Sequence, residues 1–294
     1  MKKKNNLKAW LYLLPAILFL GVFMVYPLID VCFYSFEENF AGKVYTGIGL
    51  GNFRYVLSDP VFMQALKNTF ILVAITVPVS TGLSLLIALG LSSIKPLKKA
   101  YQTIYFLPYV TNTLAVGLVF MLLFAKTEYT SGLVNLLLGT DIDFIGGDYW
   151  MKILVTCLYT VWIVMPFKIL ILTSALASVN QDYYKAAKVD GASSARIFRK
   201  ITLPMISPTV FYLIITGFIG AFKAFSDEVA LFGSNLNNAE MNTIVSYVYD
   251  MLYGEQGNGG KFGYAAAAAL ILFAIVLTIT IINLKFSRNK VQYM

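Results

Sequence analysis

This chain of 294 residues contains no histidine and only two cysteines, Cys32 and Cys157. The commonest general base and metal ligand is therefore missing. The cysteines are too far apart for a Cys-x-x-Cys site and sit at or inside apolar runs, so they read as packing residues with no disulfide implied. Charge is scarce: 13% of residues, against roughly 25% in an ordinary soluble domain. No phosphate-binding loop is found either. The nearest approach, Gly254 to Phe262, has Glu255 where the first glycine belongs and Phe262 in place of Ser or Thr. No catalytic residue, metal site or cofactor is expected in this chain, and it is not read as an enzyme.

Apolar residues fill the space left by charge, at 58% of the chain. Six runs approach or exceed the ~20 residues a helix needs to cross a bilayer: Trp10–Phe33, Leu66–Leu91, Ile104–Phe124, Ile153–Leu176, Thr209–Phe225 and Tyr264–Phe286. They are too long and continuous for barrel strands, and unpaired backbone is too costly in lipid, so helices are expected. Pro78, Pro108 and Pro166 are expected to kink their helices rather than end them. The fold class read from these runs is an all-α integral membrane protein with six transmembrane helices. Lys2–Lys4 before the first run resembles a signal peptide, but that run is too long and has no small-residue cleavage site, so an uncleaved span is expected.

Most of the 23 basic residues fall on one side of this arrangement: Lys2, Lys3, Lys4 and Lys8; Lys95, Lys98 and Lys99; Lys185, Lys188, Arg196, Arg199 and Lys200; Lys285, Arg288 and Lys290. Positive charge collects in the cytoplasm, so both termini and the 182–208 segment are placed there, in a multi-pass plasma-membrane protein. The net charge of +8 follows from this bias. Dispersed lysines without an aromatic-studded groove do not suggest a nucleic-acid partner. Within the spans, Asp30 lies near the outer end of the first, and no carboxylate is expected deep in any. That argues against a proton- or sodium-driven carrier, which buries carboxylates along its ion path. Lys168, in the inner half of the fourth run, is expected to snorkel to the inner interface, with contact to an anionic solute as the alternative.

The segment from Asp182 to Pro208 is polar and basic between two apolar runs. Asp182 is suited to cap a short helix that presents Ala186 and Ala187 as a nearly bare surface. Gly191 permits a turn at positive φ. Ser193 or Ser194 then caps a second helix, which Leu203-Pro204 and Pro208 are expected to end before the fifth span. The spacing is Lys185-Ala186-Ala187, three residues that include Asp190, Gly191, nine residues, then Ile201-Thr202-Leu203-Pro204. It resembles the cytoplasmic coupling loop of permease subunits in binding-protein-dependent ABC importers, E-A-A-x3-G-x9-I-x-L-P, with Lys185 in place of the family's glutamate.

The resemblance extends over almost the whole chain. Gly51-Asn52-Phe53, Asp59-Pro60, Phe62, Ala65-Leu66 and Asn68-Thr69, with Tyr105-Phe106-Leu107-Pro108, Gly132-Leu133-Val134-Asn135 and Gly263-Tyr264-Ala265-Ala266-Ala267, are similar to the sugar-uptake permeases of the maltose, glycerol-3-phosphate and multiple-sugar type. The resemblance implies a type I ABC importer permease fold. Residues 1–63 would hold the cytoplasmic N-terminus, first span and outer loop. Residues 64–286 would form a five-helix core with the coupling loop at 178–208, and 287–294 a cytoplasmic tail. It also implies a bacterial or archaeal membrane and a set of partners: a second homologous permease, a cytoplasmic ATPase dimer that uses ATP and Mg, an extracytoplasmic solute-binding protein, and the surrounding lipid. The function implied is ATP-driven import of sugars or oligosaccharides. The alternatives are another solute in the same importer class (a polyol, glycerol-3-phosphate, glycerophosphodiester or peptide) or a stand-alone secondary carrier.

A sugar path needs polar groups and aromatic faces on a cavity. Tyr109 and Thr113 fall one helical turn apart after Pro108, with Asn112 beside them. Thr160, Ile163 and Phe167 share a face of the fourth run. These six are the solute-path candidates, weighed against ordinary interhelical packing. The 222–228 stretch, at the outer end of the fifth run, reads as solvated surface, with gating of the cavity or docking of the binding protein as the alternatives.

Overall fold

The computed structural model describes residues 6–38, 47–94, 98–126, 131–254 and 260–290. Fourteen α-helical segments run through them, with one two-stranded ladder. Five helices are long and apolar enough to cross a membrane, and six if the bent third is counted as one span. The described residues form two compact units: Met1–Met63 with Ile244–Ala274, and Gln64–Thr243 with Ile275–Met294.

In the first unit, α1 (Asn6–Leu20), a π-helical turn (Gly21–Val25) and α2 (Tyr26–Phe36) make one continuous rod. Large apolar side chains stay exposed along its length, from Trp10 to Phe33. That pattern suits a helix whose partner is lipid, since no aqueous face is reserved. After α2, β1 (Glu37–Glu38) pairs antiparallel with β2 (Gly47–Ile48), and α3 (Gly51–Ser58) follows. Asn52 is buried and donates from Nδ2 to the carbonyls of Ser35 (3.0 Å) and Glu37 (2.8 Å), tying the end of the rod to α3. Gly263 opens α14 (Phe262–Lys290) against the same amide: a Cβ there would stand 2.7 Å from Asn52 Nδ2. Tyr264 stacks on Tyr55 with ring centres 4.0 Å apart. From α13 (Ile244–Tyr253), Tyr247 donates to Asp59 Oδ2 (2.7 Å) and packs edge-on to Phe62.

The second unit is built on α4 (Pro60–Ser93), α5 (Lys98–Val110), α6 (Thr113–Phe124), α7 (Leu133–Leu138), α8 (Tyr149–Ser178), α9 (Gln181–Val189), α10 (Ser194–Ile197), α11 (Leu203–Phe222) and α12 (Ser226–Phe232). One apolar cluster joins Ala88 of α4, Leu172 and Leu176 of α8, and Ile206 and Leu213 of α11. A second joins Val116 and Phe124 of α6, Val155 and Tyr159 of α8, and Leu231 of α12. Gly117 lets α6 and α12 approach closely, since any Cβ there would collide with Ala230. Polar groups fasten the ends. Asn68, fully buried, donates from Nδ2 to the carbonyls of Glu240 (2.9 Å) and Asn242 (2.8 Å), while its Oδ1 accepts from the Tyr149 hydroxyl (2.8 Å). Asn135, in the short helix after α6, bonds the backbone of Ile142 through both its amide nitrogen and its oxygen.

The third apolar run departs from expectation. It is not one helix kinked at Pro108: α5 and α6 are separate and meet at 101°. Asn112 is the cause. It takes extended φ/ψ, and its Oδ1 accepts from the N–H of Leu114 (2.9 Å) and Ala115 (3.4 Å), starting a new helix. A side chain that satisfies orphan N–H groups turns a kink into a break. Tyr109 and Thr113 therefore lie on different helices, not one turn apart on a single face.

Candidate functional site

Two features stand out in the second unit: an exposed elbow at 180–203 and a cavity lined by α4, α5, α8, α11 and α12.

The elbow begins where Asn180, not Asp182, caps α9, its Oδ1 accepting from the Asp182 N–H at 2.9 Å. Asp182 instead pairs with Lys185 (2.9 Å), and both stay exposed. Gly191 takes φ +70°, as a reversing turn needs, and the Ala192 N–H closes back on the Ala187 carbonyl at 2.9 Å. Ser193 then caps α10, its hydroxyl accepting from the Arg196 N–H at 3.4 Å. The second helix does not stop at Leu203-Pro204. A π-turn (Phe198–Thr202) carries it straight into α11, giving one helix from Ser194 to Phe222. Pro204 sits in the first turn beyond the π segment, where its missing N–H is tolerated. Ile201 and Leu203 are half-buried along this helix, while Lys185, Ala186, Asp190 and Gly191 are exposed and Ala187 half-buried. Val189, apolar and 88% exposed, sits at the tip.

The cavity measures about 360 Å³, within the ordinary range for a small-molecule site. Tyr109 of α5 and Phe167 of α8 stack at 5.4 Å between ring centres and form an aromatic wall. Thr160 accompanies them, its hydroxyl donating to Asp227 Oδ2 at 3.4 Å. Asn112 and Thr113 line an adjoining hollow with Ser226. Ile163 does not line the cavity; it packs against the cluster around Tyr159.

Two placements correct the sequence reading, and a third was not foreseen in it. Lys168 does not snorkel: it is 5% exposed, lines the cavity, and donates from Nζ to Ser80 Oγ (2.7 Å) and Thr81 Oγ1 (2.9 Å). These hydroxyls lie almost ninety positions away in sequence, so periodicity within the fourth run gave no sign of them. The 222–228 stretch is only partly solvated, with Lys223 and Ser226 exposed. Phe222 is buried, and Lys223 to Asp227 line the cavity. Carboxylates are also withdrawn from water: Glu228 is fully buried, and neither of its oxygens has a partner among the described residues. Burial, with Asp227 beside it, pushes the Glu228 carboxyl up to about 8. Glu228 belongs to α12, which lies outside the helices long enough to span.

The exposed helix–turn–helix elbow is thus continuous with a long apolar helix that walls the cavity. The family model described as "binding-protein-dependent transport system inner membrane component" matches residues 80–291. The chain belongs to this family. It is a multi-pass membrane protein, and proteins of the family are permeases, not enzymes. The arabinooligosaccharides transport system permease protein AraP of Bacillus subtilis is 30% identical over 95% of this chain and 88% of its own length. The lactose transport system permease protein LacF of Rhizobium radiobacter is 27% identical over 99% of this chain and 97% of its own. Among solved structures, a chain of a bacterial alginate ABC transporter, in complex with an alginate pentasaccharide-bound periplasmic protein, superposes with a TM-score of 0.82. It is 24% identical and covers 97% of this chain and 96% of its own. The MetNI methionine ABC transporter gives a more distant match, with a TM-score of 0.51 at 18% identity over 80% of this permease. These two matches speak to the fold.

Proposed function

We propose that this permease is one of two membrane subunits of an ATP-driven importer for sugars or oligosaccharides and forms half of the translocation path. The observation that carries the reading is the continuity of the helix from Ser194 to Phe222. Its start is the exposed elbow, and its far half, at Leu213, Gly217 and Gly220, is a wall of the cavity. A displacement of the elbow therefore reaches the cavity through one rigid element. In this reading Lys185, Ala186, Ala187, Asp190 and Gly191 face a cytoplasmic ATPase dimer, which binds the ATP and Mg. Ile201, Leu203 and Pro204 transmit the movement. A second homologous permease closes the path, and an extracytoplasmic receptor delivers the solute. Both termini are cytoplasmic, as the lysine-rich ends require. The aromatic wall of Tyr109 and Phe167, with Thr160 beside it, supports a sugar as the solute, and relatives named for sugar transport support the same class.

The test is co-purification from native membranes through a C-terminal tag, comparing wild type with Gly191→Pro. Proline cannot adopt φ +70°, so the variant is expected to retain the second permease and lose the ATPase. A chain that comes down alone and transports without ATP overturns the reading.

A further inference from the structure

Lys168 is the least expected residue of the cavity. An ammonium carries three donors and no acceptor. Two are spent on neutral hydroxyls, Ser80 Oγ and Thr81 Oγ1. Both hydroxyls are themselves oriented by the α4 backbone: Ser80 donates to the Thr76 carbonyl (2.5 Å) and Thr81 to the Val77 carbonyl (2.7 Å). They are fixed so that their lone pairs meet the ammonium. Such acceptors solvate a charge without cancelling it. No acidic side chain lies within ion-pair distance of Lys168 among the described residues.

The surroundings leave room for a counter-charge. Gly217 of α11 faces the ammonium, and a Cβ there would stand 3.4 Å from Nζ. One turn further on, a Cβ at Gly220 would meet nothing within 4 Å, so open space continues along the cavity wall. The Thr76 hydroxyl, one turn before Ser80 on the same lining, is buried without a hydrogen-bond partner. A lysine inside a membrane bundle is costly and is retained where it meets a solute or an opposite charge. Here an unfilled donor, an unpaired hydroxyl and free volume line one cavity, next to the aromatic wall of Tyr109 and Phe167.

We propose that Lys168, held by Ser80 and Thr81, is an anion-binding group of the solute path, and that the solute this permease passes is a sugar carrying a carboxylate or a phosphate. The inference rests on the sugar-path reading and adds the charge of the solute to it. In the bound state the ring lies against Tyr109 and Phe167, and the anionic group takes the third N–H of Lys168. A charge-assisted bond of this kind separates a charged sugar from a neutral one of like size by about ten- to a hundredfold in affinity.

The experiment uses the whole importer complex, purified through the C-terminal tag into lipid nanodiscs with no receptor protein added. Binding is measured for digalacturonate, trehalose phosphate and neutral trehalose. The expected result is that at least one charged probe binds tenfold or more tightly than trehalose. Lys168→Gln abolishes that preference and Lys168→Arg preserves it. Preference for digalacturonate identifies the carboxylate as the group recognised, and preference for trehalose phosphate identifies the phosphate. Equal binding of charged and neutral probes by the wild type overturns the inference, whatever becomes of the variants, and leaves the sugar path standing. A charge preference that survives Lys168→Gln overturns it too. Failure of all three probes to bind overturns the sugar path along with it.

Discussion

In the interior of the second unit, Lys168, Glu228 and Asn68 are withdrawn to 5% exposure or less, whereas on the elbow Lys185 and Asp182 each leave 75% of their side chains in water. Both regions hold polar side chains, yet the cost of polarity differs greatly. Water solvates the elbow's charges whether or not they pair, so their geometry is set by local turns and caps. In the interior, each polar group must find a protein partner or stay unpaired, and where it stays unpaired something else has to meet it. An elbow made of local turns and caps can be read from spacing, while a cavity depends on which helices come together.

Mutations can break this contrast. The largest effect on stability is expected at Asn68→Ala. It removes the amide that bonds the carbonyls of Glu240 and Asn242 and the Tyr149 hydroxyl, and a buried group that loses its partner costs about 1–3 kcal/mol. Thermal unfolding in detergent should show a drop of several degrees, and an unchanged Tm would mean these groups are not buried together.

Glu228→Gln should act next, and in a pH-dependent way. The folded carboxyl holds its proton up to about pH 8, while the unfolded one releases it near its ordinary value. Over that window the native state binds more protons than the unfolded state, so stability falls as pH rises. Glutamine keeps the shape and removes the titration. Its Tm should therefore decline less than that of the wild type between about pH 6 and about pH 9, and parallel declines would refute the assignment. The smallest effect is expected at Lys185→Ala, where an exposed i,i+3 pair is worth less than about 1 kcal/mol. A Tm loss as large as that at Asn68 would erase the contrast.

The elbow was legible in the sequence to within a residue or two. Gly191 turns at positive φ and Ser193 caps the second helix, because both roles depend only on near neighbours. The cap of the first helix shifted from Asp182 to Asn180, a competition between adjacent polar side chains that spacing does not resolve. The π-turn at 198–202 was not foreseen, since proline signals an interruption and here the helix absorbs it. In the cavity, Tyr109, Thr160 and Phe167 were picked out by side-chain type and do line it, whereas Ile163 turned away into packing. Asn112 was taken as a solute-facing group and is the residue that breaks the third run.

Alone, the sequence determined that this chain lives in a membrane, which stretches form its long apolar helices, and which segment reverses between the fourth and fifth. Hydrophobicity, charge bias and turn chemistry are properties of neighbours along the chain, so they survive without coordinates. Tertiary structure decided the fate of Lys168, Asp227 and Glu228, because a charged side chain snorkels, pairs or stays buried according to what the other helices present to it. Only when Ser80 and Thr81 of α4 come to face α8, and Gly217 of α11 clears the space beside them, does a lysine in an apolar run become a fixed charge on a cavity wall.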